Sequence, residues 1–153
     1  MATLNVTHTE SIVLNNQEFG ATNSISFAGI TEISKRVLTI TTAESVIATF
    51  SAAVASAGHY VAANVRYIRF TNKDSTNFIT LTFRNQDNDE VAIKLDAGQS
   101  FIFNADNSGG MVDVFNATQD ADAASDTALG DLTNIQADAN TGSCDLEMII
   151  ASV

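Results

Sequence analysis

The sequence predicts an all-β protein: a single antiparallel β-sandwich, jelly-roll-like, with a long acidic loop before its last strand. Three observations predict it. Apolar and polar residues alternate with a period of two across the middle of the chain. Turns rich in Asn, Asp and Gly punctuate these runs roughly every ten residues. The length of 153 residues, with 45% hydrophobic and 16% charged residues, suits one domain, 1–153, that holds its own core. Strand order is left open, because jelly-roll and immunoglobulin-like sandwiches use the same kind of strands.

Residues 1–10 read as an N-terminal arm. Strands are expected at 11–15, 23–28 and 34–41. Segment 42–57 carries two signals. Thr41 and Glu44 have capping-box spacing and Gly58 suits a helix C-cap. The β-branched run from Val46 to Phe50 favours a strand at 45–51, followed by an irregular Ala/Ser loop to Tyr60.

The pattern is clearest in the middle. Segment 65–71 puts Arg66, Ile68 and Phe70 on one face and Val65, Tyr67 and Arg69 on the other. Segment 78–84 points Ile79, Leu81 and Phe83 inward, and segment 90–95 does the same with Val91, Ile93 and Leu95. Phe101 and Phe103 share a face of 99–103, and a further strand is expected at 111–116. The polar stretches 72–77, 85–89, 97–98 and 106–110 supply the turns. Residues 117–143 then form a small, polar, acidic excursion anchored only by Leu129, Leu132 and Ile135, with a short helix around 127–137 as one option. A closing strand at 145–152 is expected to pair with an early one.

Charge narrows the function classes. The net charge is −11, all seven bases lie between Lys35 and Lys94, and ten acids follow Lys94. Nucleic-acid and anionic-membrane binding both need Lys and Arg to meet phosphates, so neither is expected. The basic middle is instead free to meet an acidic tail or a neighbouring subunit. Proline is absent, so no strand edge is blunted by it. Cys144 is the one cysteine and reads as a small buried residue. No basic-then-apolar leader opens the chain and no run is long enough to span a bilayer, so neither a signal peptide nor a membrane span is expected. The sequons at Asn5 and Asn116 then read as chance.

Chemistry is sparsely supplied. His8 and His59 are far apart and match no ligand spacing, and each reads as a surface or turn residue. The acids Asp87, Asp89 and Glu90, and Asp120, Asp122, Asp126 and Asp131, raise calcium as a question. An EF-hand loop begun at Asp120 would place Ser125 and Asp131 where Gly and Glu are required, so that match fails and an irregular site is the remaining option. No metal and no cofactor is assigned, and no catalytic residue is expected.

Residues 64–103 carry a recognisable pattern. A strand ends in Thr71-Asn72-x-Asp74, a hydroxyl-rich strand follows, and an apolar strand ends in Leu95-Asp96-Ala97-Gly98-Gln99-Ser100-Phe101. This stretch, about a quarter of the chain, resembles small virion structural proteins of marine tailed bacteriophages, either capsid decoration (cement) proteins or tail-associated components. The resemblance implies a non-enzymatic protein of the virion that stabilises the shell through contacts with the major capsid protein or another virion protein. It implies a homo-oligomer, with a trimer as the first expectation. Leu129, Leu132, Ile135, Arg66 and Arg69 are the expected interface residues. A second reading is a tail or fibre module binding a host glycan, with Tyr60 and Tyr67 as stacking residues. A third is a small hydrolase with converging carboxylates.

Overall fold

The computed structural model describes residues 1–105, 109–112, 114 and 130–153. In chain order the strands are β1 (Ala2–Glu10), β2 (Val13–Leu14), β3 (Gln17–Glu18), β4 (Ala21–Ile30), β5 (Glu32–Ile40), β6 (Ser45–Ser51), β7 (His59–Val61), β8 (Val65–Asn72), β9 (Ile79–Asn85), β10 (Glu90–Leu95), β11 (Ser100–Asn104), β12 (Leu132–Ala139) and β13 (Cys144–Ser152). A 3₁₀ turn, Ala62–Asn64, leads into β8.

Two sheets face each other. One is ordered β10-β9-β12-β6-β7 and the other β11-β8-β13-β5. All pairings are antiparallel except that of the short edge strand β7, which runs parallel to β6. The fold is thus an all-β sandwich. From β5 onward the chain repeatedly crosses from one sheet to the other, and β9–β10 is its long-stranded hairpin within one sheet. The last two strands are central: β12 lies between β9 and β6, and β13 between β8 and β5.

The alternation read from the sequence builds this core. Ile79, Leu81 and Phe83 of β9 are at most 2% exposed. They meet Ile68 and Phe70 of β8 and Leu146, Met148 and Ile150 of β13. Phe83 is the aromatic hub, 5.4 Å from Phe101, 6.4 Å from Phe103 and 6.4 Å edge-on from Phe70 between ring centroids. Such pairs add about 0.5–1.5 kcal/mol each beyond the area they bury. At the sheet edge the pattern weakens: Leu95 is buried, Ile93 half-buried and Val91 exposed.

The expectations for 45–51, 65–71, 78–84, 90–95, 99–103 and 145–152 match strands β6, β8, β9, β10, β11 and β13 to within a residue or so at each end. Three expectations need correction. Residues 11–15 hold only the two-residue β2 and half of a turn. At 111–116, Met111 and Val112 lie in a turn and bend, and the other residues except Val114 lie outside the described part. Most of all, the second half of the excursion 117–143 is the central strand β12; residues 115–129 lie outside the described part. Register shifts beside Leu132 and beside Ile135 put the buried apolar side chains at Leu132, Ile135, Ala137 and Ala139. A bulge breaks the period of two and leaves an opening gap of three that reads as helical. The remaining inward positions are alanines, which carry little apolar signal.

Candidate interaction surface: an apolar-tipped hairpin arm

Strands β1 and β4 pair along almost their whole length, from Leu4 opposite Phe27 to Glu10 opposite Ala21. This is a two-stranded ribbon whose first strand has nine residues, about 30 Å at strand rise. Its base is anchored on the outer face of the β11-β8-β13-β5 sheet. There Val6, Phe27, Ile30, Tyr67 and Ala151 form a second buried cluster, flanked by Leu4, Ile25, Ile102 and Ile149. The sheet-facing positions of the ribbon are apolar at Leu4, Val6, Ile25 and Phe27, then turn polar at His8 and Asn23. Beyond that change the arm leaves the sandwich. Every residue from Thr7 to Ser24 is exposed except half-buried Gly20.

The other ribbon face is a ladder of cross-strand polar pairs. Ser26 Oγ donates to Asn5 Oδ1 at 2.7 Å, Thr7 and Ser24 hydroxyls lie 3.1 Å apart, and Thr22 Oγ1 donates to Thr9 Oγ1 at 3.3 Å. These pairs favour the ribbon's register without making it sticky.

The tip is built differently. Val13 pairs with Glu18 and Leu14 with Gln17, so Asn15 and Asn16 form a two-residue turn. Both have positive φ, 53° and 63°, as a type I′ turn requires. The Phe19 N–H donates to the Ile12 carbonyl at 2.9 Å. Glu18 Oε1 accepts from the N–H groups of Gly20, at 2.8 Å, and Ile12, at 3.2 Å. Gly20 is needed at the neck, because a Cβ there would sit 2.3 Å from the Glu10 carbonyl oxygen. The tip is therefore hydrogen-bonded into a defined shape, and it presents Ile12, Val13, Leu14 and Phe19 at 56–66% exposure. The expected N-terminal arm 1–10 is one strand of this device; the expected strand at 11–15 does not distinguish the tip, 11–20. The signal for it is Asn15-Asn16 directly after the apolar run Ile12-Val13-Leu14, because asparagine tolerates the positive φ that a two-residue hairpin turn demands.

The residues expected at an interface lie elsewhere. Leu132 and Ile135 are fully buried in the inter-sheet core, and Leu129 lies outside the described residues. Arg66 turns back on its own backbone, donating to the carbonyls of Ala63, at 2.8 Å, and Val65, at 3.2 Å. Arg69 pairs with Glu147 on the outer sheet face, where Lys35 also bonds Glu147 at 3.2 Å. The Lys35 hydrogen bond, helped by the charges of Lys35, Arg69 and Lys73, holds the Glu147 carboxyl below its ordinary range. Tyr60 and Tyr67 are 7% and 6% exposed. Tyr60 hydrogen-bonds Ser34 at 3.0 Å and Tyr67 packs on Phe27. Neither presents a ring for stacking on a sugar.

Asn72 and Asp74 of the 71–101 motif are turn builders. Asn72, fully buried, donates to the carbonyls of Asn77 and Leu95 and accepts from the Asp74 N–H. Asp74 Oδ1 accepts from the N–H groups of Asn77, at 2.6 Å, and Thr76, at 2.7 Å, which keep its carboxyl below the usual range. In the 85–90 turn, Asn85 Oδ1 accepts from the Asp87 and Asp89 N–H groups, and Arg84 pairs with Glu90. Among the described residues no three His, Cys, Asp or Glu side chains converge as metal ligands. Asp120, Asp122 and Asp126 lie outside them. Cys144 is buried, and burial, with Asp74 and Asp145 nearby, pushes its thiol pKa up.

A second surface feature opens on the side of the sandwich where β5 ends one sheet. Among the described residues, 45–48 of β6 have no partner on that side, because β7 pairs only with Thr49–Ser51. Between these edges runs a groove of about 500 Å³ walled by Arg36, Leu38, Ile40, Val46, Ile47 and His59, with no acid among its lining residues. Compared with protein-family models and with curated proteins, the chain matches none.

Proposed function

We propose that this chain is a non-enzymatic assembly protein of a phage virion, a capsid decoration protein that binds by inserting its hairpin arm between neighbouring subunits. The observation that carries the reading is the arm: a hydrogen-bonded ribbon, anchored at its base and exposed from Thr7 to Ser24 apart from half-buried Gly20, that ends in four exposed apolar side chains. An isolated two-stranded ribbon is marginal in water. One that projects from a closed sandwich and ends in an apolar tip gains most of its stabilisation from what it docks against. Leaving aside the short edge strand β7, the strand orders β5-β13-β8-β11 and β6-β12-β9-β10 support reading the sandwich as a jelly roll. The likeness of residues 64–103 to virion structural proteins supplies the setting. A homotrimer, bound to the major capsid protein, is the assembly this reading favours, and many weak contacts on a repeating shell add up through effective concentration.

The test is to band particles from a producing lysate on a density gradient and identify proteins in the particle fraction. The chain is expected there in many copies per particle, and a Leu14→Asp, Phe19→Ser variant is expected to be missing from it. Wild-type chain found only in the soluble fraction would overturn the reading.

A further inference from the structure

We propose that the apolar hairpin tip docks in the groove beside Arg36 of a second copy of this chain, so that the copies associate head to tail. The inference deepens the assembly reading above and rests on it for its setting, but the contact itself is a property of the purified chain.

Both halves of the contact are incomplete in one protomer, and they complement each other. The tip offers Ile12, Val13, Leu14 and Phe19 to solvent, and its neck carries Glu10 and Glu18, with no Lys or Arg anywhere before Lys35. The groove offers exposed Val46 and half-buried Leu38, over the buried side chains of Ile40 and Ile47, and one guanidinium, that of Arg36. Arg36 is half-buried, yet among the described residues its guanidinium has no ion-pair or hydrogen-bond partner, whereas the other half-buried arginines, Arg66, Arg69 and Arg84, all have one. A partly desolvated cation without a carboxylate is an unfavourable arrangement that an incoming acid relieves. The lining holds no acid to repel Glu10 or Glu18.

Backbone chemistry points the same way. The edge of β5 and residues 45–48 of β6 leave N–H and C=O groups unpaired beside the groove, and the ribbon also has two free edges. An exposed edge is a template for an added strand. The arm does not fill its own groove, since its base is fixed to the outer sheet face and its tip is exposed. The occupant is therefore another copy. Tip and groove are different patches, so the contact is heterologous, and it closes into a ring when the rotation per copy allows. A single tip buries less than the area of a stable dimer interface, so closure is what makes the association persist.

The experiment is the solution mass of the full chain by sedimentation equilibrium across a concentration series. Three proteins are compared: wild type, a tip variant (Leu14→Asp, Phe19→Ser) and a groove variant (Arg36→Glu). All altered positions are exposed or half-buried, and circular dichroism with thermal melting checks each fold. Wild type is expected to self-associate, and each variant alone to bind at least about tenfold more weakly. Mixed one to one, the variants retain one good tip and one good groove, so they are expected to recover a dimer that stops there. A wild type that stays monomeric overturns the proposal. So does association that survives the tip variant, or loss in the tip variant without loss in the groove variant, which would mean tip-to-tip contact. Flotation of monomeric wild type with phosphatidylcholine vesicles would assign the tip to a bilayer instead. Intact head-to-tail association with no chain in the particle fraction would overturn the virion reading while leaving this contact standing.

Discussion

Asn72 makes three hydrogen bonds from a position with no solvent access, and they tie the end of β8 to the loop before β9 and to the last residue of β10. Replacing it with Ala leaves two carbonyls and one N–H without that partner. Losing a buried partner costs about 2 kcal/mol, which lowers Tm by about 4–8 °C in a chain this size. Asn72→Asp is expected to be worse than Asn72→Ala, because a carboxylate would face the two carbonyl oxygens that the amide now satisfies. Calorimetry of the two variants checks both the loss and its order. Cys144 belongs to the same scale. Buried and with its thiol pKa raised, it is expected to resist iodoacetamide in the native protein and to react fully in denaturant. Mass spectrometry before and after unfolding reads this directly.

At the scale of elements, β12 and the arm make opposite predictions. Ile135→Ala removes a fully buried side chain from a central strand and is expected to cost about 2–5 kcal/mol. In an exposed docking loop the same change would stay within about 0.5 kcal/mol, so a denaturation curve separates the two. Gly20→Ala would push a Cβ against the Glu10 carbonyl and the Glu18 carboxylate. Faster hydrogen exchange at Ile12 and Phe19 is expected, with the exchange of β9 and β13 amides unchanged. The contrast also shows what could be read from residues alone. Strands with large alternating side chains, β8, β9 and β10, announce themselves. So do the Asn and Asp turns that follow them. β12 does not, because bulges shift its phase and alanines fill its inward positions. The arm is half legible: its strands look like any others, and only tertiary structure shows that β1 and β4 find no third strand. Side chains valued from sequence for an interface, Leu132 and Ile135, are apolar because they lie in the core.

For the molecule as a whole, the titrating groups bracket a pH window. Asp74 and Glu147 have folded pKa values below their ordinary 3.8 and 4.5. Their contribution is fully present above those values and is lost as the pH falls through the lower, folded ones. Cys144 and Tyr67 are shifted upward from 9.0 and 10.0, chiefly by burial. Their contribution is present below those values and disappears as the pH rises through the folded ones. Tm is thus expected to be flat between about pH 5 and 8.5 and to fall on both sides, as a pH series of melting curves would show. Within the flat region, added salt is expected to raise Tm modestly by screening the self-repulsion of a chain with net charge −11.

The placement of β12 and β13 at the centre of their sheets has a consequence for how the protein is made. A ribosome delivers residues in order, and here the strand that joins β9 to β6 and the strand that joins β8 to β5 emerge after all their neighbours. Until residues 132–152 clear the exit tunnel, each half-sheet has an unzipped seam down its middle, lined with the apolar side chains destined for the core. Translation can produce the arm and the β9–β10 hairpin early, but the sandwich must wait and then close in one late event. Pairings so distant in sequence are slow to form, and the waiting edges are exposed to other nascent chains in the meantime. Under a burst of synthesis this chain is thus expected to fold in higher yield with chaperones that hold open strands apart.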